Sequence, residues 1–185
     1  GALGIVTELT IDLLPRFEAR QHLYLDLPVA DALANFDELT SSAYSVSLFT
    51  LWQGDTIAQV WLKSLTDAPP RLDAVRTAKA ATRTLHPIAA IDATPCTEQM
   101  GVAGAWYRRL PHFKMEFTPS AGAELQTEYF VARADAVAAF KALYAMQHKI
   151  APLLLVSEIR TMRADTLWMS MAYGQESVAF HFTWK

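Results

Sequence analysis

The sequence predicts an α+β fold: a largely antiparallel β-sheet with helices packed on one face. Separate runs at 17–25, 44–52, 56–65, 125–131, 151–161 and 177–185 show the alternation or β-rich content of strands. Two stretches, 28–40 and 133–149, instead space their apolar residues for a helix. Strands in succession with few helices between them suit segregated layers better than a βαβ repeat.

Composition sets the outer limits. A chain of 185 residues can bury one substantial core. Its 52% hydrophobic and 19% charged residues indicate a globular protein. A net charge of −3 gives no electrostatic case for nucleic acid or an anionic membrane. No apolar run approaches the roughly 20 residues that span a bilayer. Cys96 is the sole cysteine, which rules out an intrachain disulfide and suits the cytoplasm. The five histidines are scattered, so no metal site is expected.

The chain opens with Gly1-Ala-Leu-Gly and passes directly into an alternation of Ile5, Thr7, Leu9, Ile11 and Leu13. This reads as a strand that begins in mid-fold. The next run, Phe17 to Leu25, is a half-buried strand. Pro28 can open a helix that places Leu33, Phe36 and Leu39 inside and Asp31, Asp37 and Glu38 outside. Tyr44 to Trp52 and Thr56 to Leu65 form a hairpin across Gln53-Gly54-Asp55, with aromatics that serve the core.

From 66 to 111 the pattern weakens. Asp73 to Thr84 reads as a short exposed helix, and the prolines and glycines beyond it indicate a long irregular excursion. Trp106-Tyr107-Arg108-Arg109 is one basic pair on an acidic chain, a surface anchor more than a nucleic-acid motif. Phe113 to Phe117 and Leu125 to Val131 read as strands separated by Pro119 to Gly122. Arg133 to Lys149 is an amphipathic helix with Val137, Phe140, Leu143 and Tyr144 on one stripe.

The last third carries the chemistry. Glu158 and Arg160 share one face of their strand, and His181 and Thr183 share one face of theirs, with Phe180, Phe182 and Trp184 opposite. On spacing alone this is either a solvated ion pair beside a structural histidine or a site for a small hydroxyl-rich ligand. Glu128, on the face that also holds Gln126, is either a surface carboxylate or a partner that holds Arg160 across the sheet.

The ordered series Glu124-Leu-Gln-Thr-Glu-Tyr-Phe-Val131, Ile150-Ala-Pro152, Ser157-Glu-Ile-Arg-Thr161, Ala172-Tyr-Gly174 and Ser177-Val-Ala-Phe-His-Phe-Thr-Trp184 resembles the substrate-binding region of bacterial alditol (xylitol) oxidases. These are vanillyl-alcohol-oxidase-type flavoenzymes related to sugar-1,4-lactone oxidases. Tyr44 to Thr50 and Pro95 to Gln99 are similar as well, and Gly1 to Thr7 is similar to the end of the family's flavin-binding domain. The resemblance implies a fragment: residues 1–15 as the tail of an FAD-binding domain and 16–185 as the substrate domain.

It also implies FAD as cofactor and a polyol as substrate, oxidised at a terminal hydroxyl while oxygen becomes hydrogen peroxide. Glu158, Arg160 and Thr183 would bind substrate, with Arg160 and His181 catalytic and Glu128 holding Arg160. Gly4, Ile5, Val6 and His181 would touch the flavin. The missing FAD-binding domain would be the partner, and the isolated fragment would be inactive. A lactone oxidase domain, or a sugar- or polyol-binding module without cofactor, are the alternatives.

Overall fold

A computed structural model describes residues 4–117 and 124–185. Among these, the strands are β1 (Glu18–Pro28), β2 (Ser45–Thr50), β3 (Thr56–Leu65), β4 (Lys79–Ala80), β5 (Gly104–Ala105), β6 (Leu125–Ala132), β7 (Leu154–Met162) and β8 (Ser177–Trp184). The α-helices are α1 (Val29–Ala34), α2 (Phe36–Thr40), α3 (Ala136–Ala145) and α4 (Gln147–Ile150). The strands form one antiparallel sheet in the order β4-β1-β3-β2-β7-β8-β6, with β5 pairing onto β1. The expected α+β architecture is therefore present.

The two faces are covered differently. On one, α1, α2 and α3 deliver Ala32, Phe36, Leu39, Ala136 and Phe140 against sheet residues such as Leu48, Val60, Ile159 and Phe180. Phe140 meets Trp52 edge-on at 5.3 Å, and Phe182 stacks on Trp184 at 5.0 Å. On the other face a smaller cluster of Leu23, Phe49, Trp61 and Val156 is roofed by Leu85, Ile88, Cys96 and Phe113 from the irregular excursion. That excursion is not a surface appendage. It is the second layer of the domain.

Gly101 shows how the roof is fastened. Its N–H donates to the Gln21 carbonyl of β1 at 2.8 Å. Its φ of +75° suits glycine, and an added Cβ would lie 2.6 Å from the His22 ring.

Several local expectations fail for identifiable reasons. The strand expected over 5–13 is absent, and Ile5 (93%) and Leu13 (86%) stand exposed with no neighbouring strand to take their backbone bonds. The helix expected over 73–84 is a 3-10 turn at Leu72–Val75 followed by β4. The segment instead takes its partners from the β1 edge: the Ala81 N–H donates to the Leu23 carbonyl at 2.9 Å, and the Lys79 side chain meets Asp26 at 3.1 Å. The strand expected over 113–117 is reduced to a single bridge between Cys96 and Phe113, after which Met115 turns outward. The turn expected at Pro119 to Gly122 lies outside the described residues.

The two expected helices are both interrupted. Asn35 separates α1 from α2, and Met146 separates α3 from α4. The hairpin between β2 and β3 forms, with Gly54 at φ +72° in its turn.

Candidate active site

A β-bulge aims the site. Leu154 pairs with Trp184, but the next paired residue, Val156, meets Thr183, leaving Leu155 as the extra residue. Two residues apart, Leu154 and Val156 would share a face in a regular strand. Instead Leu154 packs in the helix-side core and Val156 in the opposite cluster. The bulge therefore turns Val156, Glu158 and Arg160 together toward the roofed face.

The register then sets rows of side chains across that face. Phe49, Glu158, His181 and Glu128 stand side by side on β2, β7, β8 and β6. In the next row stand Ser47, Arg160, Ala179 and Phe130. Thr183 lies between Val156 and Gln126. Glu158, Arg160, His181, Thr183 and Gln126 line one cleft of about 330 Å³, opposed by apolar residues including Phe49, Ile88 and Phe113. The four residues singled out on β7 and β8 are thus brought together.

Arg160 is held from both sides. Its Nη2 donates to Glu128 Oε1 at 2.7 Å, and Nη1 lies 3.6 Å from Glu158 Oε2. To reach Glu128 the side chain must cross β8, and it does so at Ala179, the fully buried residue directly opposite Arg160. Glu128 itself does not line the cleft, so its position suits holding the guanidinium.

Two participants were absent from the sequence-derived set. His112, at the end of the excursion, points Nε2 at Glu158 Oε1 at 2.9 Å and packs against Phe49 and Trp61. Behind it lies Lys63 of β3, 1% exposed, with Nζ 2.5 Å from His112 Nδ1 and 2.6 Å from the Leu110 carbonyl. A signal for Lys63 did exist: it interrupts the otherwise apolar run Val60-Trp61-Leu62 at a strand position facing inward. His112 has no such mark, because only the fold of the excursion brings it near Glu158.

Electrostatics follow from this packing. Burial would push the Glu158 carboxyl up, but the His112 hydrogen bond, the Arg160 guanidinium and the Ser47 hydroxyl outweigh it and hold the group at about 2. Burial pulls the His112 ring below its ordinary value, more than its bond to Glu158 raises it. Burial also draws the Lys63 ammonium down to about 7. At neutral pH the arrangement contains a carboxylate hydrogen-bonded to a neutral imidazole, with an obligate guanidinium cation 3.6 Å from that carboxylate.

The four residues expected to touch flavin sit in two places. His181 lines the cleft, and its Nε2 is 3.4 Å from Gln126 Oε1. Gly4, Ile5 and Val6 do not line it; they are exposed, and nothing lies within 4 Å of a Cβ built on Gly4. Among the described residues no cluster could hold a metal ion, and no helix is long and apolar enough to cross a membrane.

No family model matches the chain. Across its whole length, however, it is similar to a curated alditol oxidase from Streptomyces sp. (strain IKD472 / FERM P-14339), with 47% identity over 184 residues. The chain spans 43% of that protein's length.

Proposed function

The chain is a domain of the alditol oxidase type within the FAD-linked oxidases, and from that premise we propose that its cleft holds a polyol for oxidation at a terminal carbinol. The observation that supports this most is the register row that sets Glu158 opposite His181, with Arg160 and Thr183 in the same cleft. A polyol needs such a lining, because each hydroxyl buried without a partner costs a few kcal/mol.

Each residue has a role that its surroundings suit. Glu158, held ionised, accepts hydrogen bonds from two neighbouring hydroxyls. Thr183 Oγ1 supplies a donor and an acceptor farther along the chain of carbinols. Arg160, fixed between two carboxylates, donates to the oxygen at the reacting carbon and stabilises negative charge that develops there. His181 takes the proton of that hydroxyl, for which an imidazole beside a carboxylate is a suitable acceptor. Phe49 on the sheet and the apolar roof of Ile88 and Phe113 exclude water from the carbon skeleton.

FAD, when bound, supplies the acceptor for the hydride from the same carbon. His181 is accessible from the cleft and would lie against the flavin, with Gly4, Ile5 and Val6, exposed outside the cleft, as further contacts. Oxygen as the final electron acceptor, hydrogen peroxide as product, and a cytoplasmic setting for a chain whose one cysteine is buried complete the proposal.

The full-length protein tests it. Purified protein should carry a flavin absorbance band that xylitol or sorbitol bleaches without oxygen, with peroxide released once air is admitted. Bleaching by a sugar-1,4-lactone but by neither polyol would favour a lactone oxidase. Protein that binds a polyol yet carries no flavin would be a binding module.

A further inference from the structure

His112 lines the cleft beside Glu158, Lys63 lies behind it, and neither takes part in the roles above. Lys63 is fully buried on β3, yet among the described residues its ammonium makes no ion pair with a carboxylate. Its donors go to the Leu110 carbonyl and to His112 Nδ1. A buried cation of this kind costs stability unless it serves something else.

The donor and acceptor roles fix what it serves. Charged Lys63 only donates, so while it holds its proton His112 Nδ1 must accept from it and cannot itself carry one. The ring's single proton is thereby placed on Nε2, which faces the Glu158 carboxylate at 2.9 Å. A protonated ring would set two donors against each other at Nδ1, and the opposite tautomer would set a lone pair against the carboxylate. With Lys63 charged only one arrangement satisfies every group. It leaves Glu158 Oε1 accepting from His112 and Oε2 beside Arg160, with the Ser47 hydroxyl as a further donor to the carboxylate.

We propose that Lys63 and His112 are positioning residues for Glu158, locking one imidazole tautomer so that the carboxylate stays ionised and correctly turned for a substrate hydroxyl. The inference rests on the polyol-oxidase reading for its substrate, but not for its geometry. The groups that face Glu158 are His112 from the excursion, Arg160 from its own strand and His181 from β8, with Lys63 behind His112 and Glu128 beyond Arg160. Burial opposes the charge on Glu158, whereas the His112 hydrogen bond supports it. Removing that bond must therefore raise the pH at which the carboxylate forms.

The experiment uses full-length protein with glutamate labelled at the carboxyl carbon, in His112→Phe, His112→Gln and Lys63→Met forms, with Glu158→Gln to assign the resonance. In His112→Phe the Glu158 titration midpoint should rise by about one pH unit or more, and KM for xylitol should rise about tenfold with kcat changed less. Lys63→Met should move both in the same direction by a smaller amount. His112→Gln, whose amide can still donate, should restore part of the loss.

A Glu158 midpoint and a xylitol KM left at wild-type values by both His112→Phe and Lys63→Met would overturn the proposal. Should His112→Phe fail to fold, Lys63→Met decides alone, since methionine fills the same space without a charge. If the unsubstituted protein neither binds nor oxidises xylitol, the functional reading fails, and the Glu158 midpoint still decides the positioning role.

Discussion

Replacing Glu158 by glutamine should change the pH dependence of stability in a calculable way. A carboxyl held at about 2 instead of its ordinary 4.5 favours the folded state by roughly 3 kcal/mol at neutral pH, at about 1.4 kcal/mol per pH unit of displacement. The side chain is only 8% exposed, so solvent screening takes little from this figure. Because the folded value is the lower one, the contribution is complete well above pH 4.5 and disappears as pH falls toward 2. Glutamine keeps the shape and an oxygen for His112 but cannot titrate. Urea unfolding of both proteins at pH 7 and pH 3 should therefore show a stability gap that narrows by about 2 kcal/mol on acidification. A gap of constant size would mean that Glu158 is not held ionised by its neighbours, and the electrostatic account of the cleft would fail with it.

Other perturbations address separate parts of the structure. Lys63→Met should stabilise the protein at pH 7 by about 1–4 kcal/mol in urea titrations. A lysine held at about 7 costs stability below its unfolded value, so this gain should fade as pH rises toward 10. Phe140→Ala removes a fully buried ring from against Trp52 and should cost about 3–5 kcal/mol, read as a lower urea midpoint with unchanged slope. Ala179→Val obstructs the crossing of Arg160 to Glu128; xylitol kcat/KM should fall about tenfold or more, with an overpacking cost of about 1–3 kcal/mol. Wild-type turnover in that variant would show that the Arg160–Glu128 contact is dispensable.

Much of the sheet was legible because burial on one or both faces imposes its period on the sequence. The two-residue spacing of Glu158 with Arg160 and of His181 with Thr183 correctly paired each set on one face. What spacing could not reveal was the Leu155 bulge, which decides that this face points at the roof and not at the helices. Nor did periodicity describe the excursion, whose Leu85, Ile88 and Phe113 are placed by tertiary contact with Phe49 and Trp61 and follow no regular repeat. His112 was invisible for the same reason. The alternation at 5–13 misled in the other direction, since a strand pattern requires a neighbouring strand before it becomes a strand.

The central claim is that Arg160 donates to the reacting oxygen of a polyol. Its most direct measurement is peroxide release from xylitol by flavin-loaded, full-length protein in wild-type and Arg160→Lys forms. Lysine keeps the charge but not the planar fork that bonds Glu128 while facing Glu158 and the ligand. The account predicts that kcat/KM falls about a hundredfold or more in the lysine variant, with flavin content and urea midpoint little changed. Wild-type kcat/KM in Arg160→Lys would contradict it.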